Sequence, residues 1–223
     1  MSAHIFSRSP QETPPVDTEH RKIQAPIPAP GTEAILSELE DCESRSMQGQ
    51  LPLVWDRATD FSIYDRAGNK WIDFTSTIFV ANIGHSNPKL IAAVKRVLDK
   101  NLIHTYAYPH EIRSEYLKKL VAFAGPSFEK GYLVSSGTEA TEAALKLMRL
   151  NGARQGKKRP GVICLEGNWH GRTMGAQFMC SSPEQKEWTG HDDPNIHHIP
   201  FPYPWALGDK SPEEFLQEGF NRL

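Results

Sequence analysis

The sequence predicts an α/β chain in which a mostly parallel sheet is flanked by helices and left incomplete. Three observations carry that reading. Tyr132-Leu133-Val134 and Val162-Ile163-Cys164-Leu165 are short apolar runs with the length and residue types of buried strands. Between them Ala140, Ala143, Ala144, Leu147 and Met148 recur at helical spacing, and Asn151-Gly152 closes the run. Strand, helix, strand in that order is how a parallel pair with a crossover helix is written. Ala176 to Cys180 reads as a third strand, so a sheet begun after residue 130 holds about three strands where about five or six are usual.

The elements follow in chain order. Residues 1–31 contain six of the seventeen prolines, and their apolar residues show no period. Proline fixes φ and lacks an N–H donor, so this stretch is expected to be a mobile, partly extended arm. From Thr32, the spacing of Ile35, Leu36, Leu39 and Cys42 predicts an amphipathic helix to about Met47. Phe61–Asp65 and Lys70–Phe74 flank Arg66-Ala67-Gly68-Asn69 and predict a hairpin. Asn87-Pro88 places an N-cap before proline at the first helical position, and Leu90, Ile91, Val94, Val97 and Leu98 supply the apolar face. A further helix is expected from Glu111 to Ala124, stopped by Gly125-Pro126. Residues 183–209, rich in proline and histidine, read as a long irregular excursion. Ser211-Pro212-Glu213-Glu214 opens a last helix, which reaches Leu223 without a C-cap, so the chain is expected to be the front part of a longer one.

Composition narrows the function classes. The 223 residues carry 25 Lys plus Arg against 27 Asp plus Glu, a formal net charge of −2. That balance argues against a strongly basic nucleic-acid binder and against a charge-driven disordered chain. No run of about 18 apolar residues occurs to span a membrane, and the N-terminus lacks a secretory apolar core. Cys42, Cys164 and Cys180 are few and far apart, as expected for reduced thiols in a cytoplasmic protein.

One segment has the layout of an anion site. Ser135-Ser136-Gly137-Thr138-Glu139 joins a strand to a helix, where unpaired N–H groups and the helix dipole favour negative charge. Gly137 permits close approach to the backbone, and the Ser136 and Thr138 hydroxyls add donors. The same residues also spell a regular capping box, Ser136-x-x-Glu139, which needs no ligand, and Glu139 and Glu142 bring negative charge nearby. The pattern alone leaves both readings open. No GxxxxGK[ST] or GxGxxG loop is present. About thirty residues on, Asn168-Trp169-His170-Gly171-Arg172-Thr173 follows the second strand, at the carboxyl edge where open α/β sheets bind ligands. Trp169 offers a face for stacking on a ring, and Arg172 a fork for a carboxylate. Asp73 to Val80, leading to Gly84-His85-Ser86-Asn87-Pro88, reads locally as a strand end, a loop and a capped helix. Gly190-His191-Asp192-Asp193 with His197-His198 has zinc-ligand types in no recognised spacing.

Taken together these pieces resemble the class III pyridoxal-phosphate-dependent aminotransferases, the group of ornithine, acetylornithine and 4-aminobutyrate aminotransferases. The resemblance rests on Asp65, Gly68 and Trp71-Ile72-Asp73, on Gly84-His85-Ser86-Asn87-Pro88, on Ser135 through Lys146, and on Trp169-His170-Gly171-Arg172-Thr173, in the family's order over roughly residues 32–205. It implies the N-terminal portion of a fold-type I transferase. Residues 32–105 would be a segment of the small domain with the hairpin and helices, and 106–223 the first part of the large cofactor-binding domain. It implies pyridoxal 5′-phosphate as cofactor, with Ser136, Gly137 and Thr138 at its phosphate, Trp169 stacked on its ring and His170 beside the ring. It implies Arg172 on a substrate carboxylate, and Thr77 and Ile78 at the substrate entrance.

The same resemblance implies transamination between an amine or amino acid and a 2-oxo acid, by a cytoplasmic homodimer. The lysine that the family joins to the cofactor is expected on the order of a hundred residues past the Trp-His-Gly-Arg-Thr motif, so this chain alone is expected to be inactive. Lys186 and Lys210 receive no such role. Other reactions of the same cofactor (decarboxylation, aminomutation, racemisation, phospho-lyase chemistry) and a non-catalytic interaction fragment remain the competing expectations.

Overall fold

Tight turns dictate the first sheet. The computed structural model describes residues 6–44, 47 and 50–221. It divides into two units, Met1–Pro109 and His110–Leu223. In the first, β1 (Val16–Asp17), β2 (Lys22–Ile23), β3 (Trp55–Thr59), β4 (Ser62–Asp65) and β5 (Lys70–Ile72) form one sheet in the order β1-β2-β5-β4-β3. Every pairing in it is antiparallel. Connections as short as Asp60-Phe61 and Arg66–Asn69 cannot carry a chain back to a parallel start, so this sheet is antiparallel throughout, and the parallel sheet is expected only after residue 130, in the second unit. The hairpin read from Phe61–Phe74 is present, with Ile63 opposite Trp71 and Tyr64 opposite Lys70.

The arm expectation is corrected for its described residues. β1 and β2 pair through a turn in which Thr18 N–H donates to the Arg21 carbonyl (2.9 Å), and Gln11 bridges Ile27. Ile23, Pro28, Ala29 and Thr32 are buried. The prolines flank these pairings and do not interrupt them, so their missing donors cost the sheet nothing. Helix α1 (Glu33–Cys42) forms where its spacing predicts it. It ends at Cys42, short of Met47, and residues 45–46 and 48–49 of the expected span lie outside the described residues.

Asn69 ties this unit together. It is fully buried. Its Oδ1 accepts from the N–H groups of Gln24 (2.8 Å) and Ala25 (3.1 Å), and its Nδ2 donates to Asp65 Oδ2 (2.8 Å) and the Ala25 carbonyl (3.3 Å). One amide therefore joins the hairpin turn to a segment 45 residues earlier in the chain.

Beyond β5 the backbone enters an unusual conformation. Ser76, Thr77, Ile78 and Phe79 have φ of 48°, 55°, 58° and 68°, one turn of left-handed helix. For L-residues that costs about 1–2 kcal/mol each. Helix α2 (Pro88–Leu98) follows, capped as expected by Asn87 Oδ1 on the N–H groups of Lys89 and Leu90.

The second unit contains α3 (Glu111–Ala124), α4 (Gly137–Arg154), β6 (Val162–Leu165), α5 (Met174–Met179), α6 (Pro183–Lys186), β7 (Ile196–Ile199) and α7 (Pro212–Phe220). β6 and β7 are parallel, with Val162 opposite Ile196 and Leu165 opposite Ile199. Leu145, Val162, Cys164 and Met179 form the core, with Ile196 at its rim. Two expected strands are absent. Tyr132–Val134 has no neighbouring strand among the described residues, and its side chains are exposed. An apolar run becomes a strand only where a partner takes up its backbone groups. Ala176–Cys180 lies in and just after helix α5, because a short apolar run does not distinguish helix from strand by periodicity. Residues 183–209, read as irregular, contain α6, a 3₁₀ turn at Glu187–Thr189 and β7.

Replacing Asn69 by alanine strands the partly buried N–H donors of Gln24 and Ala25 and one buried oxygen of the Asp65 carboxylate. Denaturant titration of the N69A chain is expected to show a loss of roughly 3 kcal/mol in the first unit.

Candidate functional site

The site begins with a helix start that is only half closed. Ser136 caps α4, its Oγ accepting from Glu139 N–H (3.2 Å). In a closed capping box the Glu139 carboxylate would accept from the Ser136 N–H. Instead its Oε2 takes both donors of Ser135, the N–H (2.8 Å) and the hydroxyl (2.6 Å). The regular capping box read from the sequence is corrected in this respect. These bonds also hold the Glu139 carboxyl below its ordinary pKa. Three consecutive N–H groups, of Ser136, Gly137 and Thr138, make no hydrogen bond among the described residues. They stand at the positive end of an 18-residue helix.

The same pattern in α7 closes fully. Ser211 Oγ accepts from Glu214 N–H (3.2 Å), and Glu214 accepts from Ser211 N–H (2.9 Å). Two identical Ser-x-x-Glu patterns therefore end differently, and the difference leaves donors open at α4.

The Trp169–Thr173 loop docks on this helix start. Gly171 is buried with φ +136°, and a Cβ built on it would lie 2.4 Å from Thr138 Oγ1 and 2.8 Å from Thr138 Cβ. Thr141 Oγ1 donates to the His170 carbonyl (2.7 Å). The Glu142 carboxylate accepts from the Thr173 hydroxyl and from Ala176 N–H (3.1 Å), and Gly175 leaves room for it. Thr141 and Glu142 were not singled out from the sequence as docking residues. The available signal was position: Glu142 lies past the first turn, where no cap needs an acid.

His170 is half buried. Its N–H donates to Cys180 Sγ (3.4 Å), and burial, aided by the nearby His198, lowers its pKa. Arg172 lies over the Trp169 ring, its Cζ 5.5 Å from the centroid, and makes no ion pair among the described residues. The second unit thus brings Ser136, Gly137 and Thr138 together with the backbone of His170 and Gly171, and pairs Trp169 with Arg172. Thr77 and Ile78 belong to the first unit. There Thr77 N–H donates to Asp73 Oδ2 (3.0 Å) and the Ile78 side chain is exposed.

The zinc reading finds no assembled site. Among the described residues no three His, Cys, Asp or Glu side chains gather around a common point. Asp193 is held by Arg149 and Asn195, His191 bonds the Thr189 carbonyl, and His198 bonds the Met179 carbonyl.

The family model described as "Aminotransferase class-III" matches residues 44–223. The chain belongs to the class III aminotransferase family. It is 32% identical over 140 residues to the acetylornithine aminotransferase of Clostridium acetobutylicum, covering 62% of this chain and 36% of that protein. It is 34% identical over 155 residues to the ornithine aminotransferase of Brevibacillus brevis, covering 68% and 38%. The fold matches a thermostable (S)-enantioselective omega-transaminase from Thermomicrobium roseum at a TM-score of 0.72 with 21% identity, over 84% of this chain and 44% of that one. It also matches the ornithine aminotransferase of Toxoplasma gondii at 0.69 with 21% identity, over 78% and 41%. The chain spans about two fifths of the length of the curated relatives it matches. For this class III aminotransferase chain, the docked loop and the open helix start are two sides of one local structure.

Two outcomes follow. A G171A chain forces its Cβ into Thr138. Overpacking of this kind is expected to cost the second unit about 1–3 kcal/mol by chemical denaturation, with partial recovery in G171A/T138G. His170 has a folded-state pKa below its ordinary 6.5. Its contribution to stability is therefore complete above about pH 6.5 and falls as pH drops through that value, because the unfolded chain takes up the proton first. Denaturation midpoints between pH 7.5 and 5 are expected to decline less steeply in H170Q.

Proposed function

We propose that this chain supplies the cofactor-phosphate cup and ring pocket of a pyridoxal 5′-phosphate-dependent transamination between an amine or amino acid and a 2-oxo acid. The observation that carries the reading is the open start of α4. Among the described residues three N–H groups there make no hydrogen bond, Ser136 and Thr138 supply hydroxyls beside them, and the first-turn acid Glu139 is taken up by Ser135. That donor set suits a phosphate dianion, which accepts from several directions and is favoured at a helix N-terminus. The residues present therefore fit the group.

In this reading Ser136, Gly137 and Thr138 hold the phosphate. Trp169 offers its face to the ring, and His170, neutral at physiological pH, backs the pocket without adding charge. Arg172 presents a guanidinium, free of any ion pair among the described residues, to a substrate carboxylate. We further propose Thr77 and Ile78 as residues of the substrate entrance. When bound, the cofactor supplies an electron sink for the carbon that loses its proton. The chain's own part is to bind and orient: the phosphate grip fixes position, and Gly171 and Glu142 keep the loop against that grip. Family membership supports the amino-donor and oxo-acid substrates, and the proposal includes a cytoplasmic homodimer for the whole protein.

The test is equilibrium binding of pyridoxal 5′-phosphate and of unphosphorylated pyridoxal to the chain. The phosphorylated form is expected to bind at least tenfold more tightly. T138V is expected to remove about tenfold of that advantage, the equivalent of one hydrogen bond to a charged group at about 1.5 kcal/mol. Equal affinity for the two forms, or an S136A/T138V chain that binds like wild type, would sink the reading.

A further inference from the structure

A second polar cluster lies in the first unit, where the mechanism above makes no use of it. The Asp73 side chain is almost fully buried just after β5 and accepts four hydrogen bonds. Oδ1 takes the N–H and the hydroxyl of Thr75 (2.9 Å each), while Oδ2 takes Thr77 N–H (3.0 Å) and His85 Nε2 (2.8 Å). An ionised carboxylate only accepts, so His85 presents its proton at Nε2. Burial alone would raise the Asp73 pKa, but the His85 and Thr75 hydrogen bonds hold it down to about 2. His85 is itself fixed. Its backbone exchanges two hydrogen bonds with Asp60 (2.6 and 2.8 Å), and its ring meets Trp55 edge-on at 5.7 Å.

The residues next to this carboxylate are those of the left-handed turn, and two of them, Thr77 and Ile78, are β-branched. Such residues resist that conformation. The turn also leaves Phe74, Ile78, Phe79 and Val80 exposed, so apolar burial does not hold it. Within the turn the bonds are Phe79 N–H to Thr75 carbonyl (2.7 Å) and Val80 N–H to Ser76 carbonyl (2.9 Å), which fix its shape and not its attachment.

We propose that Asp73 is the positioning residue of the Thr75–Val80 segment: its carboxylate, held by His85, latches Thr75 and Thr77 and anchors the left-handed turn in place. The pair thereby presets Thr77 and Ile78. Their contact with substrate rests on the proposed function, whereas the latch does not.

Residue-resolved hydrogen exchange on the whole chain reads the latch directly. D73N sets an amide NH₂ against either the Thr75 donors or the Thr77 and His85 donors, and exchange of the Thr75 or the Thr77 N–H is expected to rise at least tenfold with α2 unchanged. Chymotryptic cleavage at Phe74 and Phe79 is expected to accelerate in parallel. H85A is expected to speed Thr77 exchange several-fold, and H85Q, which returns a donor at the Nε2 position, to restore it. I78G relieves the left-handed strain and is expected to slow Thr77 exchange. Unchanged exchange in D73N, H85Q no better than H85A, or faster exchange in I78G overturns the proposal. If D73N fails to fold, the two His85 variants and I78G decide alone. Loss of phosphate-dependent cofactor binding with these exchange results intact removes the proposed function and leaves the latch standing.

Discussion

The close approach of Gly171 to Thr138 governs the second unit. There is no space for a Cβ between the loop and the helix start, so the loop seats its backbone directly against the first turn of α4. That seating lets Thr141 reach the His170 carbonyl and Glu142 reach Thr173 and Ala176. Those bonds occupy the Glu142 carboxylate. Glu139 is occupied in the opposite direction, by Ser135. Both acids near the helix start therefore have hydrogen-bond partners other than the open N–H groups of Ser136, Gly137 and Thr138.

The first unit solves a different problem with similar means. Its buried apolar residues are few, with Ile23, Ala29 and Ile63 prominent. Buried polar side chains take over the long-range connections, Asn69 between the hairpin turn and residues 24–25, and Asp73 between the left-handed turn and His85. Such groups are worth most when every partner is present, because a buried donor or acceptor left alone costs more than the bond returned. The unit accordingly depends on a small number of side chains with several bonds each.

Much of this was legible in sequence. Helix α3 runs over the expected Glu111–Ala124, Asn87 caps α2, and the hairpin around Gly68 forms because local rules alone specify those elements. The short apolar runs were the weak points. Val162–Leu165 became a strand because β7 lies beside it, while Tyr132–Val134 has no such neighbour and Ala176–Cys180 closed its own backbone bonds as a helix. The proline-rich start pairs with the sheet because Asn69 captures it from 45 residues away, an event no window of local sequence contains.

The site divides along the same line. The sequence by itself determined which chemical groups are available: serine and threonine hydroxyls beside a glycine at a helix start, a tryptophan plate, an arginine fork, and membership of the class III aminotransferases. Tertiary structure alone decided which of these groups are free. Ser136-x-x-Glu139 and Ser211-x-x-Glu214 are the same pattern, yet one closes on its own N-cap and the other does not. The reason is physical. A carboxylate bonds to the nearest donors that the folded backbone presents, and at α4 those donors are Ser135's.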